Sequence, residues 1–180
     1  MTVFTIGHST RAIGDFIAAL GAAGVATVAD IRRFPKSRRF PHFNNENLAP
    51  ALAAAGIGYA HFPALGGRRA KRADGQPSRN TLWRQEPFRN YADYAETAEF
   101  RAAFEQLVAE ARAGTVAIMC AEAVWWQCHR RIVADYLLAA GLPVEHIFDA
   151  KKREPATLTP GAAPRGDGTI RYEGPQPALL

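Results

Sequence analysis

Thr115-Val-Ala-Ile-Met-Cys120-Ala-Glu122-Ala-Val-Trp-Trp-Gln-Cys128-His-Arg-Arg131 is the stretch that decides the fold. Its first part, 116–119, is an apolar run too short for a helix, which predicts a buried strand. After a short loop, apolar residues share one helical face until Gly141 and Pro143 end the pattern: Ile132, Val133, Tyr136, Leu137 and Ala140. A strand, a loop and a helix in this order predict an α/β protein.

The loop and helix start of this stretch hold residue types that carry chemistry. Cys120 and Glu122 leave the strand at its carboxyl end. His129 falls near the centre of the inward face of the helix, and Cys128 and Arg130 lie beside it. Open α/β sheets bind ligands at the carboxyl edge of their strands, and the free N–H groups of a helix start favour an anion. We therefore expect the functional site at this edge.

Two earlier strands bring further polar residues to the same edge. A strand that begins at Val3 is followed by His8 and Ser9, and the next strand carries Asp30 and Arg32 at its end. These side chains are candidates for the site. Two alternatives stay open, namely a structural role for His8 and a local ion pair between Asp30 and Arg32.

The rest of the pattern is typical of one domain. Residues 57–62 alternate as a third strand, 63–89 form a long basic loop excursion, 91–112 form the longest helix, and 144–148 form the last strand. We expect a single α/β domain over residues 1–150, in which helices flank a mostly parallel central sheet.

The C-terminal segment differs from the domain in composition. Residues 151–180 hold five prolines and four glycines and show little periodicity. This composition predicts an irregular tail that packs on the domain or extends from it. Ile170 and Tyr172 are the best candidates to anchor it.

The positive charge of the chain is concentrated in its middle. Residues 32–89 hold 12 Lys/Arg and three acidic residues, whereas the other 10 basic and 14 acidic residues leave the remainder slightly acidic. Such a segment predicts an anionic partner, either a small molecule or a nucleic acid, with Trp83 available to stack on a base. The alternatives are a solvated basic surface and a Trp83 that anchors its loop on the core.

The sequence contains no signal for a membrane or for export. No apolar run reaches the length of a membrane-spanning helix, and the first residues lack the basic and apolar regions of a signal peptide. We therefore expect no membrane partner and a cytoplasmic location. Two cysteines are too few for a disulfide scaffold, and we expect both to be thiols.

Several short motifs occur along the chain in a fixed order: Thr5-Ile-Gly-His-Ser9, Asp30-Ile-Arg32 with Pro35 and Ser37 after it, Tyr59-Ala-His61 with Leu65-Gly-Gly67, and Cys120-Ala-Glu122 with Cys128-His-Arg130. This combination resembles the Domain of Unknown Function 488 family from Phe4 to about Phe148. The resemblance implies an α/β fold with the motifs grouped at one end of the sheet, and it implies no particular reaction. The chain departs from the family at Trp125-Trp126, where members more often carry a less bulky loop with a proline.

The constellation favours an enzyme. We expect a hydrolase or transferase that acts on a phosphate-bearing nucleotide-like or nucleic-acid substrate. Glu122 and Asp30 leave neighbouring strands at one edge and are the acid and base candidates. Arg32 and Arg130 would hold the phosphate. The remaining candidates for the anion-binding set are His8, Ser9, Gly66 and Gly67.

Cys128 is a further candidate for the catalytic group. The helix start and two neighbours, His129 and Arg130, favour its thiolate, which would make it a nucleophile. Glu122 opposes the thiolate, and packing as a small apolar residue is the alternative. For Cys120, on an apolar strand, core packing is the favoured interpretation.

Three other classes of protein stay open. A non-catalytic nucleic-acid-binding module would need the basic loops but not Glu122. A thiol redox protein would use Cys120 and Cys128 as a reversible pair. A metal-binding protein would add His8 and His129 to these cysteines. However, seven residues separate the two cysteines, unlike the close pairs usual for zinc, so we expect neither a metal nor another cofactor.

Overall fold

The computed structural model describes residues 1–174 and contains a six-stranded sheet. The strand order is β3-β2-β4-β1-β5-β6, in which the first five strands are parallel and β6 is antiparallel to β5. This arrangement confirms the predicted α/β fold with a mainly parallel sheet. The strands are β1 (Val3–Gly7), β2 (Thr27–Asp30), β3 (Gly58–His61), β4 (Val116–Cys120), β5 (Val144–Ile147) and β6 (Arg153–Pro155).

Within the described residues, five helices flank the sheet on both faces. One core cluster joins α1 and α2 to Ala117 and Met119 of β4, and the other joins α3, α4 and α5 to Val116 and Ile118 of the same strand. Because β4 is buried on both faces, its sequence is a continuous apolar run. The helices are α1 (Ile13–Ala22), α2 (Asn45–Ala54), α3 (Glu86–Tyr94), α4 (Ala98–Ala113) and α5 (Arg130–Ala139).

The prediction of a single helix over residues 91–112 is wrong. The chain forms α3 and α4 instead, because Thr97 begins a new helix by accepting a hydrogen bond from the backbone N–H of Phe100. Helix α3 starts earlier than predicted, at Glu86, with Pro87 in its first turn. The break allows α3 to lie beside the carboxyl edge of the sheet, and Tyr91 of α3 reaches the cavity described below.

Residues 151–174 contain three short strands that the sequence pattern did not predict. Strand β6 extends the sheet, and β7 (Ala162–Pro164) pairs with β8 (Ile170–Tyr172) in a separate ribbon. Strands of three residues are too short to show a periodicity. Ile170 and Tyr172 are buried, and the Tyr172 hydroxyl donates a hydrogen bond of 2.9 Å to Asp135 of α5. The ribbon is therefore attached to the domain.

Among residues 1–174, every helix is too short or too polar to cross a lipid bilayer.

The lowered pKa of one buried histidine predicts that the stability of the fold decreases at low pH. Burial and, after it, the charge of Arg130 lower the pKa of His146 from its usual 6.5 to about 4. The ring lies 2.8 Å from the Thr5 hydroxyl and stacks on Trp125. Since the unfolded chain binds this proton first, the contribution of the neutral His146 ring to stability is fully present above pH 6.5 and is lost as the pH falls to about 4.

Replacing His146 by glutamine should reduce this loss. We expect the His146→Gln variant to lose roughly 1–2 kcal/mol less stability than the wild type between about pH 7 and about pH 4.5, measured by urea denaturation. The same loss in both proteins would show that protonation of His146 does not drive the acid sensitivity.

Candidate functional site

The carboxyl ends of β1, β2 and β4 open into a cavity of about 640 Å³. Its size is in the range of small-molecule sites. Seven of the ten predicted site residues line this cavity: His8, Ser9, Arg32, Gly67, Glu122, Cys128 and His129. The other three, Asp30, Gly66 and Arg130, are buried and lie outside its lining.

Two cysteines and one histidine meet at the wall of the cavity. Strand β4 ends at Cys120, and the loop that follows turns back through a single 3-10 turn at Trp125–Gln127 before α5. This turn places both sulfurs near one ring nitrogen. The Nδ1 atom of His129 lies 3.6 Å from the Cys128 sulfur and 3.8 Å from the Cys120 sulfur.

The hydrogen bond made by Nε2, the other ring nitrogen of His129, determines which nitrogen carries the proton in the neutral ring. Nε2 lies 3.2 Å from the carbonyl oxygen of Ile31, which directly follows β2. Since a carbonyl only accepts hydrogen bonds, Nε2 carries hydrogen and donates it. In the neutral ring, Nδ1 is therefore the unprotonated nitrogen, and it faces the sulfurs. His129 can accept a proton from Cys128 and hold the resulting thiolate as an ion pair.

The surroundings of the two thiols shift their pKa values in opposite directions. Burial opposes ionisation of Cys128, but hydrogen bonding from Cys120 and the nearby His129 and Arg130 lower its pKa well below the usual range. Hydrogen bonding to Cys128 and burial raise the pKa of Cys120 well above that range. The backbone N–H of Arg130 also lies 3.5 Å from the Cys128 sulfur. These surroundings favour ionisation of Cys128 over ionisation of Cys120.

Arg130 is buried next to this site and lies outside the cavity lining. Its side chain is fully buried, one guanidinium nitrogen donates to the carbonyl oxygen of Glu122 at 2.7 Å, and Nε has no hydrogen-bond partner within residues 1–174. No carboxylate in this part of the chain forms an ion pair with Arg130. A buried cation requires a compensating negative charge, and ionisation of Cys128 would supply one, since the charge of Arg130 contributes to lowering the pKa of that thiol.

Gly7 allows the loop after β4 to lie directly on β1. A Cβ atom at this position would be 1.8 Å from the carbonyl oxygen of Glu122 and 2.9 Å from the guanidinium of Arg130. Neither contact is possible for a larger residue without displacing the loop backbone. The glycine that precedes His8 therefore maintains the backbone geometry around Glu122 and Arg130.

Asp30 and Arg32 form a local ion pair, the alternative that the sequence left open. The guanidinium of Arg32 lies 2.6 Å from one carboxylate oxygen of Asp30 and 2.9 Å from the other. Tyr59 donates its hydroxyl hydrogen to the same carboxylate at 2.8 Å. Asp30 is fully buried, so its oxygens are occupied by Arg32 and Tyr59 away from the cavity.

His8 completes the set of partners around Arg32. Its Nδ1 donates to the Ser9 carbonyl oxygen at 3.0 Å, and its Nε2 accepts from Arg32 at 3.3 Å. Burial and then the charge of Arg32 lower the pKa of His8 to about 4, so the ring is neutral at pH 7. His8 thus has a structural partner on each nitrogen while its edge lines the cavity.

The cavity is strongly cationic at its entrance. Five Lys/Arg line it, whereas Glu122 is its single acidic residue among the described part of the chain. Phe34 also lines the cavity and is 65% exposed, with the Arg33 guanidinium 5.5 Å from its ring centre. The basic lining residues are Arg32, Arg33, Lys36, Arg39 and Arg68.

The two predicted glycines have a steric role. A Cβ at Gly66 would lie 2.6 Å from the backbone nitrogen of Arg33, and a Cβ at Gly67 would lie 2.8 Å from Nδ1 of His129. The backbone at Gly66-Gly67 therefore approaches both the basic loop and the cysteine–histidine cluster more closely than other residues permit.

Sequence reasoning missed one residue at the centre of the site and several at its edge. Tyr91 lines the cavity with its ring centre 5.0 Å from that of His129, and its hydroxyl donates to the Leu65 carbonyl oxygen. It was predicted only as part of a long helix. For Arg33 and its neighbours, the positive charge of residues 32–89 was the signal in the sequence.

Trp83 is buried, packs against Phe88 and lies outside the cavity lining, so it anchors its loop.

A family model described as "Domain of unknown function DUF488" matches residues 12–137, which include α1 through most of α5. No curated protein and no solved structure matches the chain.

Proposed function

The chain belongs to the DUF488 family, whose description names no reaction, and we propose that it is a hydrolase or transferase acting on a phosphate-bearing nucleotide. In this proposal Cys128 is the nucleophile and His129 is its base. The observation that carries it is the 3.6 Å separation of the Cys128 sulfur from Nδ1 of His129 beside a cationic cavity. A nucleophile next to an oriented base is the usual arrangement for covalent catalysis.

The proposed reaction has two steps. In the first, the Cys128 thiolate attacks phosphorus, a P–S bond forms, the ester P–O bond breaks, and the leaving oxygen takes the proton from His129. In the second, water attacks phosphorus, the Glu122 carboxylate takes a proton from it, and the P–S bond breaks to release phosphate and the thiolate. An acceptor alcohol in place of water makes the reaction a transfer.

The entrance of the cavity suggests how a nucleotide would be held. Arg33, Lys36 and Arg39 are exposed there and can donate charge-assisted hydrogen bonds to phosphate. Phe34 offers an exposed aromatic ring, on which a base can stack. Arg32 takes part mainly as a positioning residue, since Asp30, His8 and the Phe43 carbonyl oxygen already occupy its guanidinium.

In this proposal Glu122 and Asp30 do not form the acid–base pair expected from the sequence. Glu122 is exposed and lines the cavity, so it can reach a water molecule beside the substrate. Asp30 acts through Arg32, which it holds in place beside His8. We therefore assign the acid–base work to His129 and Glu122.

A substrate screen tests the proposal. We expect the purified, reduced protein to release phosphate or transfer it from mononucleotides, and to leave nucleosides without phosphate unchanged. Replacement of Glu122 by glutamine should reduce turnover by roughly 10²-fold or more with unchanged folding. Full activity in Glu122→Gln would remove Glu122 from the mechanism.

Binding measurements distinguish a specific nucleotide site in the cavity from nonspecific attraction between a basic surface and an anion. The Arg33→Ala/Arg39→Ala double variant should weaken nucleotide binding by about 10-fold or more, because each arginine would lose a charge-assisted contact with phosphate. Arg38→Ala is the matched control, since Arg38 is exposed on the same loop but does not line the cavity. Tight binding of oligonucleotides without turnover of any substrate would overturn the enzyme proposal in favour of a nucleic-acid-binding module.

A further inference from the structure

We propose that Cys120, Cys128 and His129 form a three-ligand site for Zn²⁺, with the fourth coordination position open to the cavity. This inference goes beyond the proposed function and does not depend on it. The spacing of the two cysteines along the chain argued against such a site. The structure overcomes that objection because the loop between β4 and α5 folds back on itself.

The distances between the donor atoms fit a tetrahedral ion. The two sulfurs and Nδ1 of His129 all lie within 4.8 Å of one another. With Zn–S bonds of about 2.3 Å and Zn–N bonds of about 2.0 Å, tetrahedral geometry places sulfur and nitrogen roughly 3.5 Å apart. The observed sulfur–nitrogen separations are 3.6 and 3.8 Å, so small movements would complete the coordination.

The second nitrogen of His129 has the partner that metal-binding histidines usually have. A ligating histidine generally donates its other N–H to a carboxylate or a backbone carbonyl, which fixes the ring and increases its basicity as a ligand. Here Nε2 donates to the Ile31 carbonyl oxygen at 3.2 Å. Nδ1 is thereby directed at the two sulfurs without any rearrangement of the ring.

Gly67 leaves space next to the ligand nitrogen. A Cβ at this position would be 2.8 Å from Nδ1 of His129, close to the place that an ion bound to that nitrogen would need. The glycine keeps the approach from the cavity free of side-chain atoms. A water molecule or a substrate oxygen could then provide the fourth ligand.

The chemistry of the ligands selects the metal class. Two thiolates and one imidazole are soft or borderline donors that favour zinc over magnesium or calcium. Binding deprotonates the thiols, and their protons pass to the buffer as Zn²⁺ takes their place. A bound ion would use the electron pair of Cys128, so Zn²⁺ should also block attack by this thiolate and inhibit any reaction that depends on it.

Cobalt spectroscopy tests the site directly. We expect reduced, metal-free protein to bind one equivalent of Co²⁺ with thiolate-to-cobalt charge-transfer absorption and the strong visible bands of a tetrahedral ion, all removed by added Zn²⁺. Cys120→Ser, Cys128→Ser and His129→Ala should each weaken Co²⁺ binding by about 100-fold or more. His42→Gln, which alters a histidine outside the cavity lining, should bind as the wild type does. Absence of charge-transfer absorption at one equivalent would overturn the proposal.

A measurement on the unaltered protein removes the question of whether the variants fold. Alkylation of Cys128 by iodoacetamide, followed by mass spectrometry of the peptides, should slow by roughly 10-fold or more when Zn²⁺ is present. Equal rates with and without Zn²⁺ would contradict ligation by Cys128. Neither measurement uses turnover, so failure of the metal site and failure of the proposed enzyme activity can be distinguished.

Discussion

Replacement of Cys128 by serine should lower nucleotide turnover by roughly 10³-fold or more, because a serine hydroxyl beside the same histidine is a far weaker nucleophile than a thiolate. Serine is close to cysteine in size, and its hydroxyl can form a hydrogen bond with Nδ1 of His129, which lies 3.6 Å from the Cys128 sulfur, so we expect the fold to be preserved. The turnover number is measured on the best substrate found in the screen. Its change is compared with the stability of the variant towards urea.

Cys120→Ser is the matched comparison. The Cys120 sulfur lies 3.8 Å from Nδ1 of His129 and is not the attacking group in this proposal, so its replacement should cost only about 10-fold in turnover. A larger loss in Cys120→Ser than in Cys128→Ser would reverse the assignment of the nucleophile. Equal activity of Cys128→Ser and the wild type would exclude covalent catalysis by this residue.

Asp30→Asn should destabilise the protein by about 3 kcal/mol or more, because it leaves the buried guanidinium of Arg32 without its carboxylate partner. Asp30 is fully buried and Arg32 is 6% exposed, so water cannot replace the lost interaction. The change is measured as the difference in the free energy of unfolding from urea denaturation. The Tyr59 hydroxyl would also lose the charge that accepts its hydrogen bond.

The chain contains a control of nearly identical geometry. Arg72 and Asp74 have the same sequence separation and the same 2.6 Å contact, but their side chains are 35% and 49% exposed. Asp74→Asn should therefore shift the urea midpoint little. If Asp30→Asn were as harmless as this variant and instead removed one limb of the pH–rate profile, Asp30 would be a catalytic acid or base.

The fold was predictable because its signals are local. The apolar run of β4 and the helical spacing of α5 identify a strand and a helix without any knowledge of their surroundings. The join between α3 and α4 was not predictable from the apolar spacing, because the positions that define it, Phe100, Leu107 and Ala111, all lie in α4 and do not mark where that helix begins. The start of the second helix is marked by the capping hydrogen bond that the Thr97 hydroxyl oxygen accepts from the backbone N–H of Phe100.

The candidate site was predictable in its location and less so in its roles. The polar residues that follow β1, β2 and β4 do meet at one edge, as the parallel sheet requires. However, the carboxylate of Asp30 accepts a hydrogen bond from Tyr59 of β3, and no local pattern connects these two residues. The approach of Cys120 and Cys128 likewise depends on the shape of the connecting loop, which has no periodicity to read.

The alternation of side chains along β4 has a consequence for how this protein tolerates insertions. Val116, Ile118 and Cys120 belong to the core cluster beneath α5, whereas Ala117 and Met119 belong to the cluster beneath α1. One residue added inside the strand would exchange these two sets and turn the Cys120 sulfur towards the opposite layer. We therefore expect insertions to be tolerated in the surface loops and not between Val116 and Cys120.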